Sequence, residues 1–235
     1  MQIKFWKFLN DLYERILLVI LVLVLLIVLW CMYDNYYVFN HTSDRIAGYR
    51  PGTRSVQTGS TEKVITSDMV AWLSIDGTNI DYPVMQGSDN VKYLNTDPFG
   101  DYSLAGSIFL DCRCSPDFTD DYSLVYGHHM EYGRMFGAID DFLDEDYLKK
   151  HSKGELLIGY EGEERHALEV FASVKATAHD EVVFEPGKGD IRTFILENAE
   201  VITDTSERTE PILGMSTCSD EGAAARVIVF CYILD

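Results

Sequence analysis

The chain has 235 residues, of which 47% are hydrophobic and 24% charged, a composition typical of a folded protein rather than a disordered one. Its formal net charge is −19, and almost all of the acidic excess follows residue 15. Proteins bind the phosphates of nucleic acid through Lys and Arg, and a chain this acidic is therefore poorly suited to bind nucleic acid. We expect no nucleic-acid binding.

The first candidate element is a transmembrane helix. Ile16 to Tyr33 is a charge-free run of eighteen residues, just long enough to cross a bilayer. Lys4, Lys7 and Arg15 precede it, and positive charge before a span favours a cytoplasmic N-terminus. The sequence therefore predicts a single-pass protein of the cell membrane, with residues 1–15 cytoplasmic, an anchor at 16–33 and the remainder outside the cell.

Two alternatives compete with this anchor. A cleaved signal peptide ends in a small-residue cleavage site, whereas this run ends in Trp30-Cys31-Met32-Tyr33. A buried core helix normally carries a polar stripe, which the run lacks. Both alternatives are disfavoured.

Beyond the anchor, the polar composition of residues 34–66 predicts a stalk with a helical region, and we expect residues 67–235 to form the folded domain. Short apolar or alternating runs there predict eight or nine strands: Ala71–Ile75, Asn79–Met85, Ser107–Asp111, Ser123–Tyr126, Glu155–Tyr160, His166–Thr177, Glu200–Thr203, Ile212–Ser216 and Arg226–Leu234. Helix-like segments are fewer: Asn90–Leu94, Met135–Asp140, Glu145–Lys149 and Asp190–Asn198. Many short strands at close spacing indicate a mainly β barrel or sandwich with added helices.

Cys218 is the candidate nucleophile among five cysteines. It ends a run of small residues between two predicted strands, and Arg226 follows eight residues later. A nearby cation favours the thiolate, which is the reactive form of the thiol. Taken alone, however, a cysteine is more often a small buried apolar residue. An odd number of cysteines outside the cytoplasm indicates at least one free thiol.

The histidines divide into two groups. His128 and His129 follow a predicted strand and Gly127, which we expect to let the chain turn sharply and project a histidine into a cleft. The charged residues around three other histidines predict that these lie at the surface: His151, His166 and His179. Cys112 and Cys114 could join His128 and His129 in a zinc site, but the spacing is not that of a zinc-binding motif, so we expect no metal and no cofactor.

Together, Tyr126-Gly127-His128, Ser216-Thr217-Cys218 and Arg226 resemble the sortase family, the membrane-anchored cysteine transpeptidases of Gram-positive bacteria. Residues 68 to 235 carry further motifs in the family's order, and they are most similar to class B sortases: Trp72 to Gly87, Asp89 to Leu94, Ala105 to Phe109, His128 to Met130 and Met135 to Gly137. The resemblance implies a closed eight-stranded β-barrel with peripheral helices, preceded by the N-terminal transmembrane helix.

The resemblance also implies roles. Cys218 matches the nucleophile, His128 the general acid/base and Arg226 the residue that orients substrate and stabilises the oxyanion. Ser216 and Thr217 match positions that bind substrate, and Thr217 helps to shape the oxyanion site.

Three points stay open beside these roles. His129 is an alternative to His128, and Asp220 either supports Arg226 or lies solvated in a turn. Gly214-Met215 departs from the Thr-Leu that the family commonly has there.

The implied activity is cleavage of a C-terminal sorting signal after Thr, through an acyl-enzyme thioester. The surface protein that carries the signal would then pass to an amine of a peptidoglycan precursor. A pilus-assembly sortase that uses a pilin lysine is one alternative. A non-catalytic peptide-binding module and a peptidase with water as acceptor are others.

Overall fold

The computed structural model describes the backbone of residues 2–52, 63–130, 133–177, 179–218 and 226–235. Side chains are described over the same ranges except at residues 2–4, 34–45, 47 and 218. The chain divides into two compact units, Met1–Ile46 and Ala47–Asp235.

The first unit is one helix, α1 (Gln2–Ala47). Within the part of the chain that the structure describes, it is the one helix long and apolar enough to cross a membrane, over Phe5–Tyr33. Its side chains from residue 5 to 33 are all exposed, as an apolar helix without a polar stripe requires if lipid is to cover it. The predicted apolar helix is confirmed, and it extends beyond 16–33 in both directions.

The second unit is built on nine strands. These are β1 (Met69–Ile75), β2 (Asp81–Met85), β3 (Ile108–Leu110), β4 (Tyr122–His128), β5 (Lys153–Ile158), β6 (Glu164–Ala176), β7 (Ala199–Ile202), β8 (Ile212–Cys218) and β9 (Arg226–Leu234). All nine coincide with predicted strands to within a few residues.

Eight of these strands close into a barrel. Their order is β5-β1-β2-β3-β4-β8-β9-β6, and β6 pairs back with β5 to complete the ring. The ninth strand, β7, pairs with β6 outside the closed ring. Closure leaves no free edge in the ring and encloses one apolar core. The predicted eight-stranded closed barrel is confirmed.

The apolar core is formed by the side chains that the strands bury. β1 buries almost every residue, and Trp72 at its centre is 0% exposed while its indole N–H donates to the Asp81 carboxylate at 2.7 Å. Arg50 bridges the same carboxylate, at 2.9 Å, to Glu155, at 2.8 Å. A buried indole N–H needs an acceptor, and the paired charges supply one at the barrel surface.

Helical segments lie in the connections between strands. A 3-10 helix covers Lys92–Leu94 and another Gly137–Leu143, followed by α2 (Glu145–Lys150). The β6–β7 connection contains α3 (Glu181–Phe184) and α4 (Ile191–Asn198), and Asp190 caps α4 by accepting from two backbone N–H groups. The four predicted helical segments are confirmed, and α3 was not predicted.

His151 is a correction to the sequence analysis. It was predicted at the surface but is only 7% exposed, and its Nδ1 lies 2.9 Å from the Asp76 carbonyl oxygen. Its ring also packs 4.3 Å from that of Tyr147. The residue is a buried, hydrogen-bonded histidine that packs beneath the β1–β2 turn.

Candidate active site

Three neighbouring strands bring the predicted site residues to one end of the barrel. β4 and β8 run parallel over seven register pairs, the last of which joins His128 to Cys218. Adjacent strands lie about 4.8 Å apart, so these two residues are backbone neighbours. β8 is antiparallel to β9 with Ser216 opposite Ile228. Two residues further along that register, Cys218 ends β8 and Arg226 begins β9.

Gly127 has a different role from the predicted one. It lies within β4, and its φ angle is outside the left-handed range that favours glycine. A Cβ there would lie 2.8 Å from a ring carbon of Phe136 and would also overlap Ile108. The expectation of a sharp turn at Gly127 is therefore wrong: glycine is required because these two side chains pack against the strand just before His128.

His128 and His129 face different surroundings. The Nε2 of His128 lies 2.7 Å from the Leu94 carbonyl oxygen, at the end of the first 3-10 helix, and the residue is half-buried. His129 is exposed, and its Nε2 lies 3.0 Å from an Asp140 carboxylate oxygen. His128 is the backbone partner of Cys218 in the ladder, and His129 follows it beyond the end of β4.

The two residues before Cys218 are buried. Ser216 is 0% exposed and Thr217 6% exposed, and the Ser216 hydroxyl donates to the Thr217 carbonyl at 3.1 Å. Asp220 lies outside the described residues.

Two other cysteines are unsuited to nucleophilic chemistry. Burial raises the pKa of Cys114 to about 12, and complete burial raises the pKa of Cys231 further. Such thiols stay protonated at neutral pH, and it is the thiolate that attacks. Cys31, Cys112, Cys114 and Cys231 are free, and of those in the catalytic domain only Cys112 is partly exposed. Among the described residues no group of three or more His, Cys, Asp or Glu is arranged to hold a metal ion.

A charge network around the buried Asp111, not predicted from the sequence, is connected to the strand that carries the histidine. Asp111 is 0% exposed and accepts two hydrogen bonds from the Arg113 guanidinium, at 2.8 and 2.7 Å. It also accepts from the Asn90 amide at 2.8 Å and from the Tyr126 hydroxyl at 3.1 Å. Tyr126 lies two residues before His128 on β4, so the network is anchored to the strand that carries the histidine.

The pKa values in this network reflect its contacts. Burial alone would raise the pKa of Asp111, but the hydrogen bonds and charge of Arg113, with the Asn90 amide, lower it below its usual range. Burial and the Asp111 charge raise the pKa of Tyr126, while the charges of Arg113 and Arg226 oppose that rise. The signal that could have found this network is the Asp-x-Arg pair directly after an apolar strand.

Comparison with known proteins identifies the family. A family model described as the sortase domain matches residues 73–234. Sortase B of Staphylococcus aureus is 31% identical over 182 residues, which are 72% of this chain and 72% of that protein.

Solved structures agree. The class B sortase Spy0129 of Streptococcus pyogenes, which is involved in pilus biogenesis, has a TM-score of 0.66 and 34% identity, covering 72% of this chain and 94% of its own. A complex of Staphylococcus aureus sortase B with substrate has a TM-score of 0.66 and 27% identity, covering 73% and 82%. The chain belongs to the sortase family. It is a cysteine transpeptidase of the class B type, as the sequence motifs predicted.

Proposed function

We propose that this enzyme cleaves the C-terminal sorting signal of a surface protein after Thr and joins the new carboxyl end to an amine of a cell-wall precursor. The observation that supports this most directly is the register of β4 and β8, in which His128 and Cys218 are partners, with Arg226 at the adjoining end of β9. The Staphylococcus aureus relative has been solved with a substrate bound.

In the first half-reaction, the sulfur of Cys218 attacks the Thr carbonyl carbon of the sorting signal. The Arg226 guanidinium donates to the developing oxyanion, and Thr217 contributes to the shape of that site. The carbon–nitrogen bond then breaks as His128 gives a proton to the departing amine. The products are a thioester on Cys218 and a free amine.

The contact of His128 with Leu94 assigns the two ring nitrogens. A carbonyl oxygen only accepts hydrogen bonds, so Nε2 is the donor and carries a proton whether the ring is neutral or charged. We infer that Nδ1 is the nitrogen that exchanges the proton. The backbone contact holds the ring in one orientation during both half-reactions, as the orienting partner of a catalytic histidine does.

In the second half-reaction, an amine attacks the thioester carbonyl, Nδ1 of His128 takes the amine proton and the Cys218 sulfur leaves. The result is a new amide bond and a regenerated thiol. The overall exchange of one amide for another needs no oxidant, reductant or metal.

Thioester trapping tests this proposal. Residues 34–235 are incubated with peptides of the Asn-Pro-x-Thr and Leu-Pro-x-Thr-Gly types, and the mass of the intact protein is measured by mass spectrometry. We expect an acyl adduct in the unsubstituted protein and in Cys112→Ala, a matched control that removes a partly exposed thiol, and none in Cys218→Ala. An adduct in Cys218→Ala, or its loss in Cys112→Ala, would contradict the assignment.

Pilus assembly is a second candidate function. The relative at 34% identity is involved in pilus biogenesis, and there the acceptor would be a pilin lysine. A competition experiment distinguishes the two functions. The preformed thioester is offered equal amounts of a glycine-ended peptide and a lysine-bearing pilin peptide, and the products are compared. Preferential transfer to the lysine would favour pilus assembly, and preferential transfer to the glycine amine would favour cell-wall anchoring.

We further propose that α1 anchors the enzyme in the cell membrane with its N-terminus in the cytoplasm. The apolar stretch Phe5–Tyr33 supports the span, and the basic residues near the start of the chain support the orientation.

A further inference from the structure

The guanidinium of Arg226 lies over the ring of Phe184, with its Cζ 4.9 Å from the ring centroid. Both residues are half-buried. A guanidinium over an aromatic face is attracted by the negative charge of that face, and the attraction grows as water is excluded. Phe184 thus gives one face of the Arg226 side chain a specific partner.

The position of Phe184 is fixed by the barrel rather than by its own helix. α3 has four residues and no side-chain cap, too few to be stable alone. Two side chains donate to consecutive carbonyls at its end: the hydroxyl of Tyr122 on β4 to Val183 at 3.1 Å, and Nη2 of Arg113, in the turn after β3, to Phe184 at 2.6 Å. Val183 is 0% exposed, so this helix end is packed as well as bonded.

Arg113 is itself held rigidly. Its Nε and Nη2 form a two-pronged pair with the Asp111 carboxylate, which Asn90 and Tyr126 also contact. Charge-assisted paired bonds of this kind set direction as well as energy. A continuous set of contacts therefore runs from the buried Asp111 through Arg113 and the Phe184 backbone to the Arg226 guanidinium.

Arg226 also lies where the β6–β7 connection leaves the barrel. β9 pairs with β6, and Arg226 is there the partner of Ala176, the last residue of β6. The chain that leaves β6 returns within eight residues to place Phe184 against Arg226. A long, freely rotating side chain at a strand end is a poor oxyanion donor unless something aims it, because preorganisation supplies most of the benefit of such donors.

We propose that Phe184 is a positioning residue for Arg226 and that Arg113 acts through the Phe184 backbone to hold it there. The inference rests on the proposed role of Arg226 and extends it: the β6–β7 connection sets the direction of the cation that meets the oxyanion. Phe184 itself touches neither substrate nor thiol in this assignment.

Aromatic replacement is the first test. The rate of thioester formation is measured for Phe184→Leu, which keeps an apolar side chain of similar size, and for Phe184→Tyr and Phe184→Trp, which keep an aromatic face. We expect kcat/KM to fall about tenfold in the leucine variant and to stay within about twofold in the aromatic variants. Equal losses in all three would overturn the proposal, because packing alone would then explain them.

A double-mutant cycle is the second test. In an Arg226→Ala background, followed by mass spectrometry over long single turnovers, Phe184→Leu should change the rate by less than about twofold, since the group it positions is gone. A full tenfold loss in that background would show that Phe184 acts independently of Arg226. Arg113→Ala should slow the unsubstituted enzyme by a similar factor and add little to Phe184→Leu.

A spectroscopic measurement keeps the test independent of activity. The Nε–H proton of Arg226 should be shifted upfield by the ring current of Phe184 and should move toward its ordinary position in Phe184→Leu. If this resonance did not change, the contact between Phe184 and Arg226 would be contradicted. If Cys218→Ala still formed the thioester, the proposed function would fail. If the effects of Phe184→Leu and Arg226→Ala were additive while Cys218→Ala was inactive, the positioning role would be contradicted and the proposed function would stand.

Discussion

Gly214 occupies the position where this chain departs from the pattern common in sortases. It lies on β8 beside the ring of Tyr122, the first residue of β4. A Cβ on Gly214 would lie 2.7 Å from the Tyr122 hydroxyl oxygen and 3.0 Å from a ring carbon. The Tyr122 ring therefore fills the space that a threonine side chain would need, and its hydroxyl contacts the Val183 carbonyl. The glycine and the tyrosine are a matched pair.

Replacing Gly214 by Ala should therefore destabilise the fold. The added methyl group would have to displace a buried ring whose hydroxyl is bonded to α3, and overpacking of this kind costs about 1–3 kcal/mol. The free energy of unfolding from denaturant titration measures this change. Gly214→Thr should cost more than Gly214→Ala, because its side chain is larger.

Tyr122→Phe provides the control for this pair. Removing the hydroxyl relieves the closer of the two contacts, so Gly214→Ala should cost less in the Tyr122→Phe background than in the unsubstituted enzyme. The same cost in both backgrounds would show that Tyr122 does not determine the glycine.

Single residues could be assigned from the sequence where their signal was local. His128 and Arg226 lie at the strand ends that the pattern predicted. Gly127 was misinterpreted because the side chains that exclude a Cβ, Ile108 and Phe136, are distant in sequence. The burial of His151 was missed for the same reason, since its partner Asp76 lies 75 residues away.

At the scale of an element, the turn that follows β3 carries the charge pair of Asp111 and Arg113. The pKa of Asp111 lies below its ordinary value of 3.8, because the bonds to its carboxylate outweigh the effect of burial. A carboxyl whose pKa is lower in the folded chain than in the unfolded chain stabilises the fold above the unfolded pKa. That stabilisation is lost as pH falls through the lowered pKa.

Asp111→Asn should therefore lower the free energy of unfolding in a pH-dependent way. At pH 7 the change leaves the Arg113 guanidinium, whose side chain is 43% exposed, without its charge partner, which costs about 1–2 kcal/mol because water screens the remaining charge. As the pH falls below the unfolded value of about 4, the unfolded chain takes up this proton first and the folded carboxyl only at lower pH, so the gap between the two proteins should narrow over that range. Denaturant titrations at neutral and acid pH measure the gap, and an equal gap at both would contradict the role of the charge.

Arg113→Gln gives a second view of the same element. Without the guanidinium, burial raises the pKa of Asp111, so this carboxyl should protonate at higher pH than in the unsubstituted enzyme. The part of the fall in stability on acidification that comes from Asp111 should therefore shrink, and should turn into a gain if the folded pKa rises above the unfolded one. An unchanged fall would indicate that Asn90 and Tyr126, rather than Arg113, keep the carboxylate charged.

The elements themselves differed in how well the sequence predicted them. Strands were predictable because apolar runs and turn residues are local signals. The helix α3 was missed because it has only four residues, two of them β-branched valines, and depends on Tyr122 and Arg113 for its position. The register that makes His128 the partner of Cys218 depends on two strands about 90 residues apart, and family resemblance rather than pattern indicated that they meet.

At the scale of the whole molecule, charge divides the chain into two parts. Residues 1–15 carry three basic and two acidic side chains, and the remainder carries sixteen basic and thirty-six acidic. Basic residues next to a span favour retention on the cytoplasmic side, whereas acidic residues contribute little to orientation. In the proposed topology the catalytic domain is thus free to be acidic, and its net charge favours solubility. The substrates proposed for it, surface proteins and cell-wall amines, would then lie on the same side of the membrane.

Protease protection in cells with the wall removed tests this topology. With an epitope at each end of the chain, external protease should destroy the C-terminal epitope, while the N-terminal epitope should stay protected until the membrane is permeabilised.

Replacing Lys4, Lys7 and Arg15 by Gln should increase the fraction of chains in the opposite orientation, because the asymmetry of charge across the span is removed. As a matched control, Asp11 and Glu14 replaced by Gln should leave the orientation unchanged. Protection of the C-terminal epitope in the unsubstituted protein would place the thiol in the cytoplasm, away from both proposed substrates, and would contradict the anchor proposal and the cell-wall function together.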